Sequence, residues 1–264
     1  VYFSGAWHTV LVGTLRGGGR ALFALDITDP ANIKLLWEKS YSDSDYSELG
    51  YTYSRPTISL LHNGTWAVIL GNGYNGANDK AVLYLMDVKD GSLINALTAS
   101  DGTTTANGLA TPRAADINGD LVTDYVYAGD LHGNLWRFDL IGAGSLTAST
   151  TAGSFKVSFG GTPLYTATTA SGQVQPITTA PYLVKHSSGT GYLVAFGTGK
   201  YIESDDADPN TTKAMSLYGI WDRQTAGEST SSTPTLSRSK LQQQTISTSE
   251  VTASFDNNGT AVTQ

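Results

Sequence analysis

Residues 114–139 have the sequence AADINGDLVTDYVYAGDLHGNLWRFD, and the interpretation of the whole chain starts from this stretch. Oxygen-bearing side chains alternate at its start. Two apolar and aromatic runs follow, DYVYAG and LWRFD, on either side of the turn DLHGN. Short runs rich in Val, Tyr, Phe and Trp with a glycine-containing turn between them are typical of a β-hairpin. We therefore predict a cation-binding loop at the head of a β-hairpin.

The spacing of the polar residues matches the order of ligands in the calcium loop of an EF-hand. That loop supplies side chains from positions 1, 3 and 5, a backbone carbonyl from position 7 and a further ligand from position 9. The corresponding groups here are Asp116, Asn118, Asp120, the carbonyl of Val122, and Asp124. Because Ca²⁺ accepts 6–8 oxygen ligands in flexible geometry, we predict that Ca²⁺ is the ion bound.

The loop departs from the EF-hand at two positions. Leu121 stands at position 6, where the EF-hand has Gly, and Tyr127 at position 12, where it has a bidentate Glu. The flanking segments are also strand-like, so Asp124 or a water molecule must complete the coordination shell on a β-scaffold. The alternative is an Asp- and Asn-rich turn that caps its own backbone without a metal. Magnesium prefers a rigid octahedron and zinc prefers Cys or His, so both fit less well.

A short strand motif that ends in Asp recurs along the chain. Its copies are LFALD (22–26), LYLMD (83–87), LWRFD (135–139) and LYGIWD (217–222). The alternation within the motif places Phe23, Tyr84, Trp136 and Tyr218 on one sheet face, where neighbouring units would meet. We expect the terminal Asp of each copy to cap the turn that follows. Repeated units of several short strands are typical of β-propeller blades.

The repeats predict an all-β chain in which residues 1–264 form one modified β-propeller domain with quinoprotein-like blades. The blade units are placed around 12–40, 55–98, 111–165 and 180–222, and a Pro begins an apolar strand in each of the last three. Residues 223–264, rich in Ser, Thr and Gln, are interpreted as a long loop or an incomplete blade. Because the chain starts inside a strand-like segment, we expect it to be part of a larger propeller.

The composition limits the classes of partner. The 264 residues include 29 Gly and 14 Tyr, as expected for many turns and strands, and no Cys. The net charge of −7 argues against nucleic acid as a partner. No apolar run reaches the roughly 18 residues that a membrane-spanning helix needs, so no transmembrane segment is predicted in this chain.

No catalytic motif stands out in the sequence. The four His residues occur singly, no Cys nucleophile is available, and G-x-S-x-G is absent. The segment GNGYNG (71–76) lacks the helix that a dinucleotide fingerprint requires. One later loop is crowded with acidic residues and is interpreted as a surface turn, with a weak second cation site as the alternative. Its residues are Asp205, Asp206 and Asp208.

Several segments resemble the C-terminal domain of the PilY/PilC-type proteins of type IV pili, and they occur in the order seen in that family. They are GGGRALFALDITDP (17–30), GNGYNG (71–76) with VLYLMDVKDG (82–91), AADINGDLVTDYVYAGDLHGNLWRFDL (114–140), and FGTGKYIES (196–204) with SLYGIWD (216–222). The resemblance implies a modified β-propeller with a calcium loop, in a pilus biogenesis factor and tip adhesin. It carries the metal ligands onto positions 116, 118, 120, 122 and 124.

The resemblance also implies partners and a location. Calcium is linked in that family to control of pilus extension and retraction, and the expected partners are minor pilins of the pilus tip and a host-cell or surface receptor. The implied location is extracytoplasmic, at the pilus tip, outer membrane or surface of a Gram-negative bacterium. An Arg-Gly-Asp motif is absent, so integrin binding is not implied.

Two other interpretations compete with a binding and assembly module that is not an enzyme. The first is a quinoprotein-type dehydrogenase, whose propeller shares the blade motif but holds calcium centrally beneath a quinone, with ligands from different blades. All candidate ligands here come from one short loop. The second is a purely structural calcium turn in a surface β-domain.

Overall fold

The computed structural model of the chain describes residues 1–142, 144–207, 214–227 and 236–244, together with the backbone of two short strands at 254–255 and 261–262. These residues form strands, turns and short 3-10 segments, and the described part of the chain contains no α-helix. The predicted all-β class is confirmed. It follows from short apolar and aromatic runs that alternate with turns containing Gly, Asp and Asn.

Four largely antiparallel sheets follow one another along the chain, and we call them the first to fourth blades. A hairpin of β1 (Tyr2–Phe3) and β2 (Ala6–Trp7) precedes the first blade, which contains β3 (Val10–Thr14), β4 (Ala21–Asp26) and β5 (Lys34–Ser40). The second blade contains β6 (Thr57–Leu61), β7 (Trp66–Gly71), β8 (Ala81–Asp87) and β9 (Leu93–Ala99).

The third blade contains the hairpin formed by residues 125–139. Its strands are β10 (Arg113–Ala115), β12 (Tyr125–Gly129), β13 (Asn134–Asp139), β14 (Lys156–Val157) and β15 (Tyr165–Thr166), and β11 (Val122–Thr123) lies between β10 and β12 in the chain. The fourth blade contains β16 (Tyr182–Lys185), β17 (Tyr192–Gly197) and β18 (Leu217–Asp222). A last hairpin joins β19 (Ser254–Phe255) and β20 (Ala261–Val262).

Short 3-10 segments occupy some of the connections. They are Ser44–Tyr46, Ala152–Ser154, Phe159–Gly161, Ser204–Ala207 and Arg238–Lys240. None of the helices in the described ranges is long and apolar enough to cross a membrane. The interpretation of residues 223–264 as a long loop or an incomplete blade rests largely on residues outside the described ranges, and it stays a prediction.

Apolar side chains fill the space between successive blades. Three buried clusters each join one blade to the next: Leu22 and Ala24 with Tyr84 and Met86; Leu83 and Leu85 with Trp136 and Phe138; and Leu135 and Tyr127 with Tyr218 and Ile220. The central strands of the second and third blades, β7, β8, β12 and β13, are therefore buried on both faces. Face-to-face stacking of short sheets in chain order is the architecture of a β-propeller, as predicted.

The recurring motif forms one strand in each blade: β4, β8, β13 and β18. Tyr84, Trp136 and Tyr218 each pack against the preceding blade, so their predicted role at blade contacts is confirmed. Phe23 lies in the first blade and is half-buried. The period of two residues along a strand explains this agreement, because alternate side chains must face opposite neighbours.

The terminal Asp of the motif caps the following turn in three copies. Asp26, Asp87 and Asp222 each accept a hydrogen bond from the backbone N–H two residues further on, at 2.9, 2.8 and 3.0 Å respectively. In the remaining copy, Asp139 accepts hydrogen bonds from Nε of Arg137, at 3.1 Å, and from the Ser158 hydroxyl. This carboxylate takes part in a buried charge cluster that the sequence analysis did not anticipate.

Arg137 is fully buried at the contact between the third and fourth blades. Its Nη1 lies 2.8 Å from Oδ2 of Asp222, its Nη2 lies 3.1 Å from Oδ1 of Asp139, and its guanidinium lies 4.4 Å from the ring centroids of both Tyr125 and Phe159. Burial alone would lower the pKa of Arg137. The negative charges of Asp222 and Asp139 outweigh that effect and raise the pKa above its usual range.

We expect Arg137→Ala to lower the free energy of unfolding by about 3–5 kcal/mol, because the substitution leaves two carboxylates buried without their cation. Urea unfolding followed by tryptophan fluorescence measures the effect. The matched control is Lys156→Ala, which removes an exposed cation from the adjacent strand β14. The control is expected to stay within about 0.5 kcal/mol of the unmodified chain. Equal stabilities for the two variants would contradict this account of the blade contact.

Candidate calcium loop

The predicted loop joins β10 and β12, which are neighbouring strands of the third blade. After the turn residues 116–121, Val122 and Thr123 form β11, which pairs in parallel with Leu60 and Leu61 of β6 in the second blade. The loop thus leaves its own sheet and attaches to the neighbouring one. The candidate site therefore lies at the seam between the second and third blades.

Asp116 organises the turn. Its Oδ1 accepts the N–H of Gly119 at 2.7 Å and that of Asp120 at 3.3 Å, and its Oδ2 accepts the N–H of Leu121 at 2.9 Å. Leu121 has a φ of 68° and is 81% exposed, so it adopts the left-handed conformation at the position where an EF-hand has Gly. This conformation costs a non-glycine residue roughly 1–2 kcal/mol. The hydrogen bonds to Asp116 hold the turn in place.

Asn118 and Asp120 lie on the exposed side of the loop and contact each other. Nδ2 of Asn118 donates to Oδ2 of Asp120 at 3.0 Å and to the carbonyl of Leu146 at 3.1 Å. Oδ1 of Asp120 accepts the N–H of Val122 at 2.9 Å, and this hydrogen bond lowers the pKa of Asp120. An ionised carboxylate is therefore available to a cation at neutral pH.

Asp124 occupies a different environment, because its side chain is fully buried. Its Oδ1 lies 2.8 Å from Nε2 of His62, and its Oδ2 accepts the N–H of Ile117 at 2.7 Å. Burial raises the pKa of Asp124, although the N–H of Ile117 and the imidazole of His62 act in the opposite direction. Asp124 lies at the end of the loop. It thus joins this end both to Ile117, near the start of the loop, and to His62 in the second blade.

His62 is the site residue that the sequence analysis missed. It follows β6 directly and lies 62 residues before Asp124 in the chain. An isolated His in an Asn-Gly turn carries no local pattern that points to a partner. Only the stacking of the second blade against the third brings the two side chains together, and in that position His62 is only 6% exposed.

The chemistry of the predicted ligand groups fits a hard cation, since all five offer oxygen and three are carboxylates. In the described ranges, however, no three acidic, histidine or cysteine side chains converge closely enough to hold a metal ion. The structure brings the predicted ligands into one short loop without a closed cage of side chains. Ion binding would require the exposed side chains to turn toward a common point, so the ligand assignment stays a prediction.

A small cleft of about 250 Å³ adjoins the loop between the third and fourth blades. Its walls include Arg113, Asp116, Tyr182 and Tyr192. Burial raises the pKa of Tyr192, and the negative charges of Asp116 and Asp124 add to the increase. Asp116 therefore faces this cleft as well as the turn that it organises.

The acidic loop near residue 205 has internal partners. Oδ2 of Asp206 accepts the N–H groups of Ile202 and Glu203, both at 3.0 Å, and its Oδ1 lies 3.6 Å from Nζ of Lys200. These contacts are those of a capped acidic turn. Asp208, the third residue of the possible second cation site, lies outside the described residues, so that alternative stays untested.

A larger open cleft of about 520 Å³ lies between the segment that follows β9 and residues of the third blade, including His132 and Asn134. Oδ2 of Asp101 lies 2.9 Å from Nδ1 of His132 and accepts Nδ2 of Asn134 at 3.0 Å, while Nε2 of His132 lies 3.1 Å from the carbonyl of Ala106. Partial burial alone would raise the pKa of Asp101. The hydrogen bonds from Thr103, Asn134 and His132 nevertheless lower the pKa below its ordinary value of 3.8. These polar groups form hydrogen bonds with one another, which indicates a structural role, and we call them the Asp101 cluster.

A β-propeller with an acidic loop at a blade seam is the class of protein that these features define. The model of the PilY1 beta-propeller domain family matches residues 1–258. The type IV pilus biogenesis factor PilY1 of Pseudomonas aeruginosa strain PAO1 is 54% identical over 255 residues, and a PilY1 homolog of Xylella fastidiosa is 39% identical over 235 residues. The chain belongs to the PilY1 β-propeller domain family, and the resemblance inferred from its motifs is confirmed.

The similarity extends to three dimensions. The crystal structure of the Pseudomonas aeruginosa PilY1 C-terminal domain has a TM-score of 0.85 and 54% sequence identity, over 91% of this chain and 50% of that chain. The alignment with the PAO1 protein covers 93% of this chain but 22% of the relative, and that with the Xylella homolog covers 84% and 15%. The chain thus spans less than a quarter of the length of these curated relatives.

We expect Asp101→Asn to lower the free energy of unfolding at neutral pH. We also expect this free energy to fall less in acid for the variant than for the unmodified chain. The folded pKa of Asp101 is depressed, so its contribution is present above the unfolded pKa and disappears as the pH falls below about 4. Urea unfolding at a series of pH values measures the difference from the unmodified chain, which should shrink in acid. Asp45→Asn, at an exposed position, is the control. If the difference in the free energy of unfolding between Asp101→Asn and the unmodified chain stays constant across the pH series, the structural role of the Asp101 cluster is contradicted.

Proposed function

We propose that this domain binds one calcium ion in the loop 116–124 and acts as a binding and assembly module in a type IV pilus biogenesis factor, without enzymatic activity. The observation that carries the proposal is the folded loop itself. Oxygen donors at EF-hand spacing lie in a turn organised by Asp116, on a domain of the PilY1 family. Both the residue types and their order suit Ca²⁺.

The ligands of the ion would be Asp116, Asn118, Asp120, the carbonyl of Val122, and Asp124. A bound Ca²⁺ supplies the positive charge that offsets repulsion among the three carboxylates. Asp120 is exposed and ionised, so it is suited to meet the ion first. The buried Asp124 is suited to close the shell from the second-blade side, directly or through a water molecule.

Membership of the family supports the proposed cellular role. The two relatives described above are a type IV pilus biogenesis factor and a homolog of one, which supports a role for this domain in pilus assembly. We place the domain outside the cytoplasm, at the pilus tip or cell surface. We infer that minor pilins and a host-cell or surface receptor are its partners, and that calcium controls pilus extension and retraction, with effects on twitching motility, adhesion and virulence.

A ligand present at about a hundred times its Kd stabilises the folded form by roughly 2.7 kcal/mol, which is enough to order a loop.

The dehydrogenase alternative has less support. A quinoprotein holds its calcium with ligands from different blades, whereas every proposed ligand here belongs to one loop of the third blade. His132, the histidine nearest in sequence to the loop, pairs with Asp101 in a separate cleft. The proposed role is therefore recognition and assembly.

Calorimetric titration tests the calcium site directly. We expect the purified chain to bind one Ca²⁺, and Asp120→Ala and Asp124→Ala each to abolish measurable binding, because each removes a carboxylate ligand. Asp45→Asn changes an exposed Asp in another loop and should leave binding unchanged. Circular dichroism checks that each variant folds. No heat of binding at millimolar calcium would refute the proposed site.

The cellular role has its own test. Asp120→Ala in the full-length protein is expected to reduce the number of surface pili, twitching and adhesion, because the loop cannot be ordered by calcium. Electron microscopy of pili, a twitching assay and a cell-attachment assay measure the three effects, again with Asp45→Asn as the control. Normal pili and adhesion in a strain that makes the folded variant at wild-type level would favour a purely structural turn instead.

A further inference from the structure

The strand β11 belongs to the sheet of the second blade, although it lies in the chain between two strands of the third blade. Its neighbours in the chain, β10 and β12, pair with each other in the third blade, yet Val122 and Thr123 pair with β6 of the second blade. The second sheet consequently has the order β11-β6-β7-β8-β9, with β11 as its edge strand. A two-residue pairing provides few backbone hydrogen bonds, so its persistence depends on the residues on either side.

Side chains reinforce this pairing at two points. The Thr123 hydroxyl lies 2.5 Å from the Ser59 hydroxyl of β6, and Oδ1 of Asp124 lies 2.8 Å from Nε2 of His62. Thr123, Asp124 and His62 are all buried. Separating buried polar groups from their partners is costly. These contacts connect the blades at the point where the loop ends.

The paired residues lie among the proposed calcium ligands. Thr123 stands between Val122, whose carbonyl is a proposed ligand, and Asp124, whose carboxylate is another. Any ion that fixes these two groups must also fix the backbone of Thr123 against β6. Conversely, the hydrogen bonds that hold Thr123 and Asp124 on the second blade place two ligands before the ion arrives.

We propose that the loop is a calcium-controlled latch between the second and third blades, with His62 as the residue that positions Asp124. Calcium binding strengthens the pairing of β11 with β6, and the pairing in turn strengthens calcium binding, because such coupling between sites is reciprocal. This inference rests on the proposed calcium site and adds a consequence to it. The effect passes from the loop to β6 of the second blade, and the strands β6 to β9 contain no proposed ligand.

Hydrogen exchange measured by mass spectrometry tests the latch. The purified chain is compared with excess calcium and with a calcium chelator, and the readout is the peptide covering 57–62, in β6 and His62. We expect calcium to slow exchange in this peptide about tenfold, while a peptide covering 34–40 in the first blade stays unchanged. Unchanged exchange at 57–62 in a chain that binds calcium by calorimetry would overturn the latch.

Variants at His62 test the reciprocal effect. We expect His62→Ala to weaken calcium binding about tenfold, within the usual range of coupling between sites, and His62→Gln to recover most of the affinity because its amide can still donate to Asp124. The control is His186→Ala, which removes a partly exposed imidazole that stacks on Trp221 of the fourth blade. Equal affinity in His62→Ala and the unmodified chain would overturn the latch. Should His62→Ala fail to fold, Ser59→Ala, which removes only the hydroxyl contact with Thr123, replaces it.

The outcomes separate the latch from the site on which it rests. If the unmodified chain binds no calcium, the proposed site fails and the latch fails with it. If the chain binds calcium and loses binding in Asp120→Ala, but neither the exchange at 57–62 nor the affinity of His62→Ala changes, the site stands and the latch is refuted.

Discussion

A guanidinium buried between two blades requires negatively charged partners, and here each blade supplies one carboxylate. The charge of Arg137 would be costly in an apolar contact without close anionic partners, since desolvation of an ion outweighs most single favourable contacts. One of its partners, Asp139, lies on the same strand, and the other, Asp222, lies at the end of the corresponding strand in the fourth blade. Both are terminal residues of the same repeated motif. The charge cluster can form only when the third and fourth blades meet in one register.

The seams on the two sides of the third blade use different chemistry. Toward the fourth blade, an apolar cluster surrounds a fixed ion pair, and Tyr127 donates a further hydrogen bond to Asp222 at 2.8 Å. Toward the second blade, the cluster around Trp136 and Phe138 is apolar, and the polar contacts include those of the candidate calcium loop and those of Asp101 with His132 and Asn134. The third blade is thus attached to the fourth through a buried ion pair. Its attachment to the second blade includes the loop that we propose binds calcium.

Local features of the sequence were sufficient to predict the architecture. Alternating apolar residues define strands, and four copies of one motif define stacked units, because both signals depend only on neighbours along the chain. The partner of a buried polar side chain depends on how blades stack. Neither the pair His62 and Asp124, 62 residues apart, nor the pair Arg137 and Asp222, 85 residues apart, has a local pattern. One clue was available: Arg137 stands where two other copies of the motif have Ala24 and Leu85.

The placement of β11 also affects how the domain behaves beside other copies of itself. An edge strand offers unpaired N–H and C=O groups to any extended chain in reach, and β6, with the apolar sequence TISLL, lies at the margin of its sheet apart from β11. Two residues of a neighbouring loop cover part of that margin at Leu60 and Leu61. The same short strand that joins two blades therefore covers backbone groups of β6 with which an extended chain from another copy could otherwise pair.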